Sequence, residues 1–322
     1  MKIQFATSLI AASAAALLIG AGGAGCKKKG DGGGPGPGGW LVGSDGLMAS
    51  VDTEGALGPG YDLDSDHDLL GIACRGLDTA FVVGELGTFL RTFDGGESWD
   101  VIDLDTTRTL RSVAAADDVV YTGGDGLLLR SPDRGTTWAP LPVDPSASWN
   151  AVTTGHGGAA LALSASGAVW RHDSATDSFT SVATLAGARV VSMSHDGLHA
   201  VVAGAGRSIL RSDDGGLTWR SIELGASFDL HDAWVTGAGE TIAVGADGMM
   251  VRVARTDAVT SAQIAPGTLR TIHINARGVG LAAGDDGVVV STEDGGSSWV
   301  QLPLGLTRDV FAVDEVAGDG HL

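Results

Sequence analysis

Along most of the chain, short apolar runs are separated every few residues by glycine, aspartate and serine. Residues 110–115, 119–122, 127–131 and 137–141 show the unit: successive short runs, each bounded by turn residues. Runs of this length and flanking predict strands rather than helices. The third run of the unit is apolar at consecutive positions, as in Phe89-Leu90, Leu128-Leu129, Ile209-Leu210 and Val289-Val290. A strand apolar on both faces must be covered on both faces.

The pattern repeats. A small-residue hairpin turn begins at Gly43, Gly84, Gly123, Ser164, Gly204, Gly245 and Gly284, at spacings of 41, 39, 41, 40, 41 and 39 residues. The Asp-Gly and Gly-rich turns supply the positive φ that tight hairpins need. A period near 40 residues with four strands per copy predicts sheets stacked radially, each covering its neighbours. The expected fold is all-β: a seven-bladed propeller of four-stranded blades. Residues 309–316 repeat a first strand with nothing after it, and residues 40–58 carry the other three strands without the first. The last blade is therefore expected to be a composite of both ends, which removes exposed edges.

Four segments share the form Ser/Thr-x-Asp-x-Gly-x-Ser/Thr-Trp: TFDGGESW at 92–99, SPDRGTTW at 131–138, SDDGGLTW at 212–219 and TEDGGSSW at 292–299. Worn copies stand at 172–179 and 253–259. This motif resembles the Asp-box (BNR) repeat of a propeller superfamily that includes sialidases and sorting receptors. Its density over residues 40–322 looks most like the photosystem II stability/assembly factor-like group. The resemblance implies that Asp94, Asp133, Asp214 and Asp294 accept backbone hydrogen bonds in a turn between the third and fourth strands. It implies relaxed backbone at Gly96, Gly135, Gly216 and Gly296, and ring burial at Trp99, Trp138, Trp219 and Trp299. These are structural roles, and fold resemblance alone does not assign function.

The N-terminus changes the picture of location. Lys2, an apolar stretch over residues 3–19 and small residues up to Cys26 follow the order of a secretory signal peptide. Residues 1–25 are read as that leader, and Cys26 resembles the lipid-acceptor cysteine of bacterial lipoproteins, although Gly23 stands where that family usually has leucine. Residues 26–39, with Lys27, Lys28, Lys29 and a Gly/Pro-rich run, form a flexible tether reaching on the order of 20 Å. The expected location is the cell envelope, lipid-anchored to a bacterial membrane. Cys74, the other cysteine of the 2, reads as a strand residue, and no disulfide framework exists. The formal net charge of −19 opposes nucleic-acid binding.

Candidate chemistry is thin. Arg91, Arg130, Arg171, Arg211 and Arg252 recur at one position of the third strand. They form either a guanidinium ring for a partner's carboxylates or contacts across blade edges. Asp62, Asp64, Asp66 and Asp68 alternate as calcium ligands do, but His67 replaces the expected glycine, and a solvated acidic loop is the plainer reading. His195 and His199 lack an evident third metal ligand. No metal or cofactor is expected. A sialidase would need a tyrosine nucleophile and an arginine triad, and the chain has 2 tyrosines, Tyr61 and Tyr121. The expected function is non-catalytic: a propeller that binds a protein partner, or a glycan, as an assembly or recognition module. Two alternatives stay open. One is a glycoside hydrolase, which needs two acids converging on the channel; the other is an envelope protein without a discrete ligand.

Overall fold

The computed structural model describes residues 2–3, 37–52, 56–61, 67–143, 146–173 and 176–315. Most of the leader and tether, including Cys26, and three of the alternating acids, Asp62, Asp64 and Asp66, lie outside the described residues.

The unit read from the sequence forms as an antiparallel sheet. Leu110–Ala116, Val119–Gly124, Leu127–Ser131 and Ala139–Pro140 pair in that order from the centre outward. The second strand is buried along nearly its whole length, as in Thr79–Gly84 and Ala160–Ser164. Apolar clusters sit between neighbouring repeat copies rather than in one central core. One joins Phe81, Phe89 and Leu110 with Val113 and Val120. The next joins Tyr121 and Leu128 with Trp149, Ala162 and Phe179.

The expectation of seven separate four-stranded blades is corrected: the described strands form six hydrogen-bonded sheets, one of them six-stranded. The cause is local. Ala200–Ser212 and Arg220–Val235 pair from Arg211 opposite Arg220 to Ser208 opposite Glu223, and again at Gly206 opposite Phe228 and Ala205 opposite Asp229, with residues 224–227 bulging between. Arg220–Val235 then continues into a second pairing with Thr241–Gly245. Residues 221–230 contain no proline to interrupt this 16-residue strand. Two repeat copies thereby share one sheet.

The innermost strands pack side by side in chain order: Leu69–Arg75, Leu110–Ala116, Trp149–Thr154, Ala188–Met193, Arg220–Val235, Leu269–Ile274 and Val310–Glu315. The last then packs against the first. The ring closes as a composite. Val310–Glu315 pairs with Pro37–Gly43, which continues into Met48–Asp52 and Leu57–Tyr61. The propeller strands thus begin at Pro37, ahead of the expected boundary at Trp40. Lys2–Ile3 run antiparallel beside Trp99–Val101.

Two contacts latch the closing sheet onto the sheet it meets. Trp40 is 1% exposed and stands edge-on to Trp99, ring centroids 5.5 Å apart. Asp314 accepts the amide of Cys74 at 2.7 Å through Oδ2 and meets His273 Nδ1 at 2.7 Å through Oδ1. Trp40→Ala would leave a void beside Trp99, and we expect it to cost about 3–5 kcal/mol in urea unfolding followed by far-UV circular dichroism. A loss below about 1 kcal/mol would show that backbone pairing carries the closure alone.

Candidate partner-binding site at the channel mouth

The box turns occupy one face of the ring. In the first, Thr92 Oγ1 donates to Asp94 Oδ1 at 2.7 Å and accepts the Gly96 amide at 3.0 Å. Asp94 in turn accepts the amide and hydroxyl of Ser98 at 2.9 and 2.6 Å. The same bonds recur around Asp133, Asp214 and Asp294. Partial burial opposes ionisation of Asp94, but the Ser98 donors outweigh it and its pKa is lowered. The Ser298 hydroxyl and amide hold Asp294 down at about 2. Gly96 has φ +86° and lies so close to Trp40 that a Cβ would fall 2.4 Å from its ring. Trp138, Trp219 and Trp299 are half-buried and donate Nε1–H to the carbonyls of Gly135, Gly216 and Gly296 at 3.1–3.2 Å. Trp99 departs from them: it is wholly buried and its Nε1 has no hydrogen-bond partner, because Trp40 covers it.

The third-strand arginines reach from their own copy to the box of the next. Arg91 donates to the Arg134 carbonyl at 3.3 Å, Arg171 to the Gly215 carbonyl at 2.9 Å, and Arg252 to the Gly295 carbonyl. Where the next box is worn, a carboxylate takes part in the contact. Arg130 lies 3.9 Å from Asp177, and Arg211 meets Asp257 at 3.4 Å as well as the Ala254 carbonyl at 3.1 Å. Arg211 is 2% exposed and also pairs with Asp213, while Arg220 bridges Asp213 and Asp257 from outside. We expect Arg211→Met to cost about 1–3 kcal/mol in urea unfolding, because it leaves the Ala254 carbonyl without this donor while Arg220 still holds both carboxylates. Arg91→Met should cost about 1 kcal/mol or less. Equal losses would show that the two arginines do the same work.

The opposite face carries a feature the sequence reading missed. Each innermost strand has a register shift near its start, and the extra residue is Leu70, Arg111, Asn150, Arg189, His231, Arg270 or Phe311. A bulge re-aims its side chain, and here all line one central cavity of about 250 Å³. A hairpin glycine stands opposite each bulge except that at Asn150, where Ser164 does; a Cβ on Gly124 would lie 1.9 Å from the Thr109 carbonyl oxygen. The signal was present as Leu-Leu-Gly-Ile at residue 69, Leu-Arg-Ser-Val at 110, Leu-Arg-Thr-Ile at 269 and Val-Phe-Ala-Val at 310. Its second position varies freely, so no single residue type announced it.

The three arginines are each partly exposed and held by a carboxylate: Arg111 by Asp125 at 3.1 Å, Arg189 by Asp229 at 2.9 Å, and Arg270 by Asp285. His231 Nε2 stands 3.6 Å from Asp229. Deeper, Asp232 is the one carboxylate among the described cavity-lining residues. Its Oδ2 accepts the Ile272 amide at 2.9 Å, clasping one inner strand to the next. The pair of converging acids that a glycosidase requires is therefore not formed by the described lining. Tyr121 is buried against His172, 3.3 Å from its Nδ1. His199 turns to Asp213 at 3.0 Å, and His195 packs against His156 with ring centroids 4.3 Å apart. Among the described residues, no group of three or more metal-ligating side chains is placed to hold an ion.

Burial pushes Asp232 up to about 6 despite the amides of Ile272 and Ala233. With the folded value above the usual 3.8, its contribution to stability is full below about pH 4 and is lost as pH rises through about 6. Asp294 runs the other way, contributing above about pH 4 and failing as pH falls toward 2. We expect the melting temperature of Asp232→Asn, relative to the parent, to rise between about pH 5 and pH 7. A constant difference would mean that Asp232 titrates at its ordinary value.

Comparison with known proteins agrees with this fold. The family profile described as Photosynthesis system II assembly factor YCF48 matches residues 59–197. The "Photosystem II assembly lipoprotein Ycf48" of Synechococcus sp. (strain CC9902) is 27% identical over 277 residues, covering 79% of this chain and 82% of that protein. Among solved structures, "YCF48 bound to D1 peptide" superposes with a TM-score of 0.59 at 20% identity, over 72% of this chain and 81% of that one. YCF48 from Cyanidioschyzon merolae gives 0.60 at 17% identity, over 76% and 87%. The chain is a BNR/Asp-box-like β-propeller similar to the photosystem II assembly factor YCF48 group.

Proposed function

We propose that this chain is an exported, non-catalytic propeller that holds a segment of a partner protein at the channel mouth, serving assembly or recognition at the cell envelope. The observation that carries the reading is the convergence of Arg111, Arg189 and Arg270 on one cavity mouth in a chain whose net charge is −19. Partly exposed pairs with aspartate are worth little individually, so a partner's carboxylates can exchange with Asp125, Asp229 and Asp285 at small cost. The solved complex of YCF48 bound to D1 peptide supports peptide binding by this kind of ring. We assign the third-strand arginines to clasping neighbouring copies and the Asp-box residues to turn formation.

The lipoprotein name of the Synechococcus relative supports Cys26 as the lipid acceptor, with residues 26–36 as tether. The first strand enters at Pro37 at the end that carries the first-to-second-strand hairpins and the box turns, opposite the arginine mouth. An anchored ring therefore presents the mouth away from its tether.

The test is crosslinking and affinity capture of the full chain from its own membranes, beside Cys26→Ala and the triple variant Arg111→Ala/Arg189→Ala/Arg270→Ala. One stoichiometric protein is expected, reduced when Cys26 is replaced and lowered about tenfold or more by the triple variant. Undiminished capture by the triple variant would move the site elsewhere. Failure to recover a protein, together with glycan binding or cleavage by the ring, would replace the reading with a carbohydrate function.

A further inference from the structure

Large apolar side chains are exposed unevenly. Among the described residues seven stand out into solvent, and of these only Leu86 lies in a hairpin turn on the mouth face. The other six belong to the box face or to strands just leaving it, and they fall in pairs in three copies. Phe93 and Val101 lie in and just after the first box, Leu198 and Leu217 on two turns of the fourth copy, and Val279 and Val300 beside the box of the sixth. Leu198 and Leu217 are 54% and 60% exposed, and the Leu198 carbonyl accepts the Gly215 amide at 2.7 Å, which holds their two turns together. Phe93 has the guanidinium groups of Arg91 and Arg134 4.8 and 5.8 Å from its ring centroid. Counted by inner strands from Leu69–Arg75, the three sectors are the first, fourth and sixth of seven, so they are spread around the ring and define a plane. The chain enters this same face at Pro37, in the closing sheet between the sixth copy and the first.

We propose that the box face lies flat on the surface of a membrane of zwitterionic lipid, with the three apolar pairs seated among the headgroups. The proposal rests on the anchored reading above and adds the orientation of the ring. The argument is one of reach and area. The composition of residues 26–36 sets a reach of roughly 18 Å between Cys26 and Pro37. The face that Pro37 enters is therefore held near the surface at high local concentration, where a weak contact is enough. Each half-exposed leucine taken out of water favours the docked state by about tenfold. Charge sets the kind of lipid. Asp117, Asp118 and Asp213 meet His156, Arg134 and Arg220 at 2.9, 3.3 and 3.2 Å, but Glu97 and Glu293 are exposed on the box turns themselves. Such carboxylates are repelled by anionic headgroups, so the surface is one without net charge.

The test places the chain, purified from its own membranes with its anchor, on phosphatidylcholine vesicles that are plain or brominated on the acyl chain near the headgroup. Flotation reads the anchor. Contact quenching by bromine of Trp138, Trp219 and Trp299, half-buried beside the boxes, reads the docking. We expect flotation together with a loss of tryptophan fluorescence on the brominated vesicles. That loss should be insensitive to salt, as for an apolar contact, and smaller when phosphatidylglycerol is mixed in. Leu198→Ser/Leu217→Ser/Val279→Ser should float as before, keep the parent's melting curve and lose most of the quenching. Leu86→Ser, on the opposite face, should change neither readout. The comparison of the two vesicles needs no altered protein, so a poorly folding variant does not spoil it. Flotation without quenching, or quenching undiminished in the triple variant, would overturn the docked face and leave the anchor standing. Failure to float would remove the anchor, and the docked face with it.

Discussion

The structure depends on mutual covering of sheets. The second and third strands of each copy are apolar on both faces, and a sheet of that kind is unstable in water unless a neighbour lies against each side. Here the apolar clusters lie between sheets, Trp40 with Leu69 and Trp99 at the closure, Ile242 with Leu269 and Val290 farther round. Only the six-stranded sheet holds a cluster of its own, between the two repeat copies it joins. The fold is stable only as a closed ring, which is why the two ends of the chain meet in one sheet.

Closure is reinforced by different means in different sectors. From Arg91 to Arg252 the clasps are guanidinium groups donating to the next box, with a carboxylate at Asp177 or Asp257 taking part where the box is worn. After Arg252 the corresponding positions are Ser291 and Ser50, and other contacts take over. Thr271 accepts the Val313 amide at 3.1 Å, Asp314 accepts that of Cys74, and Trp40 packs on Trp99. The wear of two boxes and the loss of two arginines are thus compensated by particular neighbours.

This division of labour leaves one face free. Box turns consume their polar groups internally, and the clasping arginines are engaged between copies. At the other face the bulges turn one residue per inner strand into a common mouth, where pairs are partly exposed and exchangeable. Rigid frame and variable rim are separated by position along the same strand: residue 111 faces the mouth, while Ser112 accepts the Val152 amide at 3.1 Å.

Repeat length, strand count per copy, composite closure and the Asp-box turns were legible in the sequence because each is written in local residue types at a fixed period. Gly96, Asp94 and Thr92 lie within five positions of one another, and their bonds close within the turn. Tertiary structure alone decided the rest. Whether two copies share a sheet hinged on Arg220–Val235 pairing with Ala200–Ser212 on both sides of a bulge at residues 224–227, a long-range choice that local pattern does not encode. Whether Arg91 or Arg111 faces the central cavity depended on which carbonyl or space lies opposite each, and both read alike as an arginine on a strand. The mouth arises from side chains about 40 residues apart brought together by ring geometry, so only the closed ring reveals it.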